Sequence, residues 1–208
     1  MVALRVVSVE DPLAAPGVVA LALRLLWRGQ VMGFLPEGVS GDAELDRSLL
    51  ARIGTELAAR GIAQEAALSL AATADPARLE TALRRALAAV DDSPQPEGEW
   101  ESVRELLGDD LLARLVAVSP ASLRRYATGA RSTPDETAWR LHAVARILAA
   151  LLGSYNAYGI RRWFERPRAA LDGETPAAVI ASAASEEDEL LLRAVGLAES
   201  LVGAADAA

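Results

Sequence analysis

The sequence predicts an all-α protein, on three observations. Ala, Leu and Val must supply most of the packing, because 52% of the residues are apolar and only 4% aromatic. Ala and Leu also head the helix-propensity ranking. Through most of the chain, apolar residues recur at helical spacing and cap-like residues precede Pro or Glu, marking one helix start after another.

Taken in order, residues 1–9, MVALRVVSV, read as a short strand. A helix over 16–28 follows, with Gly29 as its stop, then a Gly- and Pro-rich loop over 33–41. Asp42 is placed to cap a helix whose Leu45, Leu49, Ile53 and Leu57 share one stripe and which ends at Gly61. Residues 62–72 form a second apolar segment. Asp75 caps a third helix, with Pro76 at its first position, Leu79, Leu83, Leu87 and Val90 facing inward, and Glu80 and Arg84 paired outside. Residues 91–99, DDSPQPEGE, hold two prolines, a glycine and four acids, a composition suited to a linker. The predicted organisation is therefore a helical domain over 1–90 of unassigned role, a linker over 91–99, and a second helical domain over 100–208.

Beyond the linker, helices are expected over 100–107, 109–116 and from Ser119-Pro120 to near Gly129. Thr133, Pro134 and Glu136 form a capping box for a helix to about residue 152, stopped by Gly153. Ser154 caps a helix over 155–165, which Pro167 ends. Asp172-Gly173 makes a turn, Pro176 opens a helix through 181, and Ser185 to Asp188 start the last helix, to about residue 202.

Composition excludes several chemistries. There is no cysteine, hence no disulfide, thiolate ligand or cysteine nucleophile, and the single histidine, His142, suits a structural hydrogen bond rather than a metal centre or triad. No Gly-rich phosphate loop, G-x-S-x-G or paired acid–base carboxylates are found, and the acids from Glu186 to Glu189 suit a helix start. The expectation is a protein without catalytic site, metal or cofactor. The apolar run over 18–27 is interrupted by Arg24 and falls short of the roughly 20 residues of a membrane span. With no secretory leader pattern at the N-terminus, the expected location is the cytoplasm.

The net charge of −8 conceals an asymmetry. Residues 119–170 carry 9 Arg against 3 acids, a net of +6, between flanks that each sum to −7 (11 Arg against 18 acids before it, 1 against 8 after it). A basic block of this kind is either a nucleic-acid footprint or an exchange of charge between neighbouring helices. Within it, residues 109–129 read as a helix-turn-helix, the alternative being an ordinary helix pair. Leu112, Ala113, Val116, Val118, Leu123 and Tyr126 would pack inward. Ser119, Ser122, Arg124, Arg125, Thr128 and Arg131 would face DNA, through phosphate oxygens and guanine edges. Ala117 stands where this turn usually has a left-handed Gly, at a cost of about 1 kcal/mol.

The stretch from Ile160 to Pro176, IRRWFERPRAALDGETP, resembles the toxin-binding domain of the Xre/MbcA/ParS-type antitoxins. That family has a Trp-Leu pair, then Pro, Asn, a Leu-Gly-Gly turn and a Pro-opened helix at this spacing. The likeness extends back through Ser119-Pro120 and Leu123 and the helix near Thr133, covering about the last half of the chain. Phe164 stands in place of Leu, Arg168 of Asn, and Asp172 of the first Gly. The resemblance implies an antitoxin that plugs an NAD-consuming RES-type toxin, dimerises, and represses its own operon. It implies toxin contacts at Trp163, Phe164, Arg166, Arg168, Leu171, Asp172, Gly173 and Pro176. Read without the family, Trp163 suits a buried anchor with Leu171 docked beside it, and Arg161, Arg162, Arg166 and Arg168 suit a charged partner. The competing readings are a stand-alone DNA-binding regulator with a sensing domain over 1–90, and a structural adaptor.

Overall fold

The computed structural model describes residues 4–205. Helices take 65% of the residues and strands 5%, so the chain is of the all-α class. It divides into two compact units, residues 1–93 and 94–208.

The first unit opens with β1 (Arg5–Val9), which pairs in parallel with β2 (Asp42–Leu45), Arg5 beside Asp42 and Val9 beside Leu45, with an irregularity after Val6. The strand expected over 1–9 is thus observed from Arg5; residues 1–3 lie outside the described residues. Between the strands runs α1 (Val18–Met32), which passes through its expected stop at Gly29 and ends at Gly33, φ 73°. Gly29 serves close approach instead. A Cβ there would stand 2.9 Å from a Leu35 methyl and 3.0 Å from the Phe34 ring, because the chain folds back over the helix end.

Asp42 caps nothing. It lies on β2, where its carboxylate accepts two hydrogen bonds from Arg5 at 2.9 and 2.8 Å, and Leu45 is a fully buried strand residue. The cap is Asp46, four residues on, which accepts the Leu49 N–H at 2.7 Å and starts α2 (Arg47–Ala59). α3 (Gln64–Ala72) packs against α2 at Gly54, where a Cβ would meet the Ala67 carbonyl oxygen at 2.5 Å. α4 (Pro76–Asp91) forms as the sequence indicates. Asp75 accepts the Arg78 N–H, Leu79, Leu83, Leu87 and Val90 are buried, and Glu80 accepts from Arg84 at 2.7 Å. Buried Arg28 on α1 donates to Asp91 at 2.8 Å, tying α1 to α4.

The second unit begins inside the expected linker. α5 (Pro96–Leu107) takes Pro96 at its first turn and Glu97 and Glu99 as the acids that favour a helix N-terminus. Glu99 is fully buried, its Oε1 2.6 Å from Nδ1 of His142. Only residues 92–95 separate α4 from α5. α6 (Asp109–Leu115), α7 (Pro120–Ala127) and α8 (Asp135–Leu151) follow. From Arg140 to Leu151 every residue of α8 except half-buried Arg146 is buried, so this helix must be covered on all sides. Parts of α5, α6, α10 (Pro176–Ser182) and α11 (Glu189–Ala205) cover it.

Three helix starts in this unit differ from the sequence reading. Thr133 is taken by Trp100, whose Nε1–H it accepts at 3.0 Å, so Pro134 becomes the N-cap, and Glu136 accepts from Arg140 instead of closing a box. α9 (Ala157–Glu165) is capped by Asn156 rather than Ser154, and α11 by Asp188, which accepts the Leu190 and Leu191 N–H groups. No helix among the described residues is long and apolar enough to cross a membrane.

Candidate functional site

α6 and α7 are joined by a short turn, over the span that the sequence offers as a helix-turn-helix. Val116 and Ala117 leave the first helix, and the Val118 N–H donates to the Ala113 carbonyl at 3.0 Å. Ala117 sits at φ 53°, in the left-handed region where Gly is the usual residue. Leu112, Ala113, Val116, Leu123 and Tyr126 are buried, as expected for the inward face, while Val118 is half-buried.

The residues assigned to DNA divide in two groups. Ser119 is the N-cap of α7, accepting the Ser122 N–H at 3.1 Å, and its hydroxyl bonds that of Ser122 at 3.0 Å. Thr128 donates to the Arg124 carbonyl at 2.9 Å, and Arg131 lies with its guanidinium 5.6 Å from the Tyr126 ring centroid. These four are exposed or half-buried but shape α7 and its exit. Arg124 and Arg125, both exposed, are left as the cations of the outward face. Arg124 lies near the start of α6. There Asp109 accepts from Arg104 at 2.9 and 3.2 Å, and that bond, with a smaller contribution from the charge of Arg124, holds its carboxyl below the usual value.

In the second stretch the apolar members are buried. Trp163 and Phe164 are 1% and 0% exposed, packed edge-to-face at 5.4 Å and 84°. Leu171, also 0% exposed, packs with Val179 and Ala194, and Pro176 is buried. These four side chains therefore lie in the interior, beneath the surface, rather than on it. Arg168 is half-buried, its guanidinium 5.2 Å from the Trp163 ring centroid.

The outward members are Arg166, Asp172 and Gly173. They flank a tight loop that starts with a 3-10 turn, Ala169–Leu171. The Arg168 N–H donates to the Glu174 carbonyl and the Gly173 N–H to the Arg168 carbonyl, each at 3.0 Å. Asp172 takes φ 56° and Gly173 φ 88°, so the turn is left-handed at both, and Asp172 stands in a conformation that favours Gly. What holds Asp172 is Arg193 on α11, which donates to its carboxylate at 3.1 Å.

The sequence reading places the final helix on the partner surface beside residues 163–176 without naming residues; Arg193 and its neighbour Leu192, 49% exposed, are the ones that adjoin the turn. A signal for Leu192 was present. Leu190, Leu191 and Leu192 are consecutive, and three successive positions span about 200°, wider than the apolar stripe of a helix covered on one side.

Among the described residues no group of three or more His, Asp or Glu side chains is placed to hold a metal ion. Against known proteins, the chain matches no family model and no curated protein, and its structure matches no solved structure.

Proposed function

We propose that the chain is an antitoxin-like binding protein that engages a partner toxin through the 166–173 turn and the adjoining face of α11, and DNA through α6–α7. The observation that carries the first half is the division of labour between residues 163 and 176. Trp163, Phe164, Leu171 and Pro176 are buried, and above them Asp172 and Gly173 are exposed yet fixed by Arg193 and two backbone hydrogen bonds. A rigid exposed turn loses little entropy when it binds, which favours a protein contact. The likeness to the Xre/MbcA/ParS-type antitoxins supplies the class of partner: a RES-type, NAD-consuming toxin encoded nearby, bound by a dimer of the antitoxin in the cytoplasm. Binding, with no chemistry of the chain's own, is the activity assigned.

The test is co-expression with the neighbouring gene product, followed by affinity capture. Arg166→Glu combined with Leu192→Asp is expected to weaken capture at least thirtyfold, as loss of a central anchor does, with the helical circular dichroism unchanged. Substitutions are preferred to truncation at residue 168, because α11 packs on α8 and its removal would uncover part of that otherwise buried helix. Unaltered capture by the double variant sinks the proposed surface.

A second reading is a stand-alone DNA-binding regulator. The exposed Arg124 and Arg125 on α7, after a turn of the right geometry, favour it. It becomes the better account if no neighbouring product is captured while the chain binds its own upstream DNA.

A further inference from the structure

A second group of arginines, expected from the sequence to suit a charged partner, lies on α9 outside the surfaces proposed for toxin and DNA. The outward face of α9 carries Arg161 and Arg162, both exposed, beside Tyr158, which is 66% exposed. Neither arginine hangs loosely. Arg161 donates its Nε–H to the Leu106 carbonyl at 3.0 Å, in the last turn of α5, three residues before Asp109 starts α6. Arg162 donates to the Tyr158 hydroxyl at 2.9 Å, with its guanidinium 5.6 Å from the ring centroid. Fixed guanidinium groups with outward edges are suited to phosphate oxygens, which accept a planar pair of N–H donors.

Their placement is what gives this a direction. When a helix-turn-helix docks, its first helix crosses the DNA backbone while its second enters the major groove. Here the first helix is α6, and Arg161 is fastened to the turn leading into it. Arg124 of α7 adds its charge at Asp109, the first residue of α6. Arg124 and Arg161 therefore both act near the α5–α6 junction.

The acids nearby do not cancel the charge. Residues 104–127 and 157–166 carry seven Arg against four acids. Two of those acids, Asp109 and Glu165, are held by Arg104 at 2.9 Å and Arg114 at 3.1 Å, and the two segments together keep a net charge of +3.

We propose that Arg161 and Arg162 are a sequence-independent phosphate contact, extending the duplex footprint of α6–α7 onto α9. This rests on the DNA-binding half of the preceding reading. Contacts of this type carry no base information, so they lower affinity for every duplex alike when removed, and they appear in the salt dependence of binding.

The experiment titrates the full chain against its own upstream duplex and a random-sequence duplex of equal length, over a salt series. Arg161→Gln with Arg162→Gln is expected to lower the log–log salt slope by about two units, and to lower affinity near 0.1 M salt on the order of fiftyfold on both duplexes. Arg162→Gln alone keeps the bond to Leu106 and is expected to lower the slope by about one. Arg161→Lys with Arg162→Lys keeps the charge and is expected to keep the slope. An unchanged slope in the Gln variants, while Arg124→Ala with Arg125→Ala impairs binding, overturns the α9 contact and leaves the helix-turn-helix reading standing. No binding by the wild type to either duplex overturns both. If the Gln variants keep the slope but no longer capture the neighbouring gene product, the α9 face belongs to the protein partner and the proposal is wrong.

Discussion

Gly54 offers a severe test of the packing in the first unit. A methyl group at this position would lie 2.5 Å from the Ala67 carbonyl oxygen, 3.3 Å from its carbon and 3.6 Å from the Leu70 Cβ. Carbon–oxygen contacts need roughly 3.3 Å, so α3 would have to retreat by about 0.8 Å along its contact with α2. Ala67 and Leu70, which meet Gly54, are both buried, and a densely packed interior does not yield such a distance freely. Forced overpacking costs about 1–3 kcal/mol, and the upper end applies where the obstacle is backbone. Against it stands a gain of about 1 kcal/mol from replacing Gly by Ala in a helix interior. Gly54→Ala is therefore expected to destabilise by about 2 kcal/mol.

Gly196, within α11, supplies the control. It is exposed and a Cβ there meets nothing within 4 Å, so Gly196→Ala is expected to stabilise by up to about 1 kcal/mol. Urea unfolding followed by far-ultraviolet circular dichroism gives the overall change. Hydrogen exchange read by mass spectrometry assigns it to α2–α3 or to α11, which a chain of two units requires. A Gly54→Ala protein as stable as the wild type, with unchanged exchange in α2 and α3, would refute the close contact.

Three further outcomes are expected. Trp163→Ala should lower stability by about 3–5 kcal/mol, through loss of the Phe164 and Arg168 contacts as well as burial, and thermal melting measures it; a melt within a degree of wild type would mean that Trp163 is not buried. Asp109, whose carboxyl is held low by Arg104, contributes stability that is present above the ordinary value of about 3.8 and is lost as pH falls through the lowered one. Asp109→Asn should therefore flatten the acid limb of stability against pH, and identical limbs would refute the pairing. Arg28→Ala should destabilise by about 3 kcal/mol, because it removes a buried guanidinium bonded at 2.8 Å to Asp91; a double-mutant cycle with Asp91→Ala measures the share that belongs to this pair, and a zero coupling would refute it.

Local chemistry was legible in the sequence and competition between neighbours was not. Asp75 and Ser119 cap as their spacing indicates, because each precedes Pro with no rival beside it, and the left-handed turns at Ala117 and Asp172-Gly173 fall where the pattern put them. Asp42, Thr133, Ser154 and Ser185 do not cap, and for the first two a tertiary contact took the side chain. Arg5 took Asp42 into a strand and Trp100 took Thr133. The acids and the proline in residues 95–99 describe a helix start as well as a linker, and only the partner His142, 43 residues away, shows that Glu99 is interior. In the candidate site, residue types located the segment, but only burial separates Trp163, Phe164, Leu171 and Pro176 from the residues that face outward.

The parallel pairing of β1 with β2 has a kinetic consequence. Its Arg5–Asp42 contact joins positions 37 residues apart, whereas neighbouring helices such as α2 and α3 meet across only a few residues. Closing so long a segment costs entropy before any ladder hydrogen bond repays it. Two short strands give little in return unless α1 is already in place to carry the chain back. The amides of this ribbon are accordingly expected among the last to gain protection in refolding. The same economy makes residues 5–9 an early point of fraying under denaturant, while the helices that follow them persist.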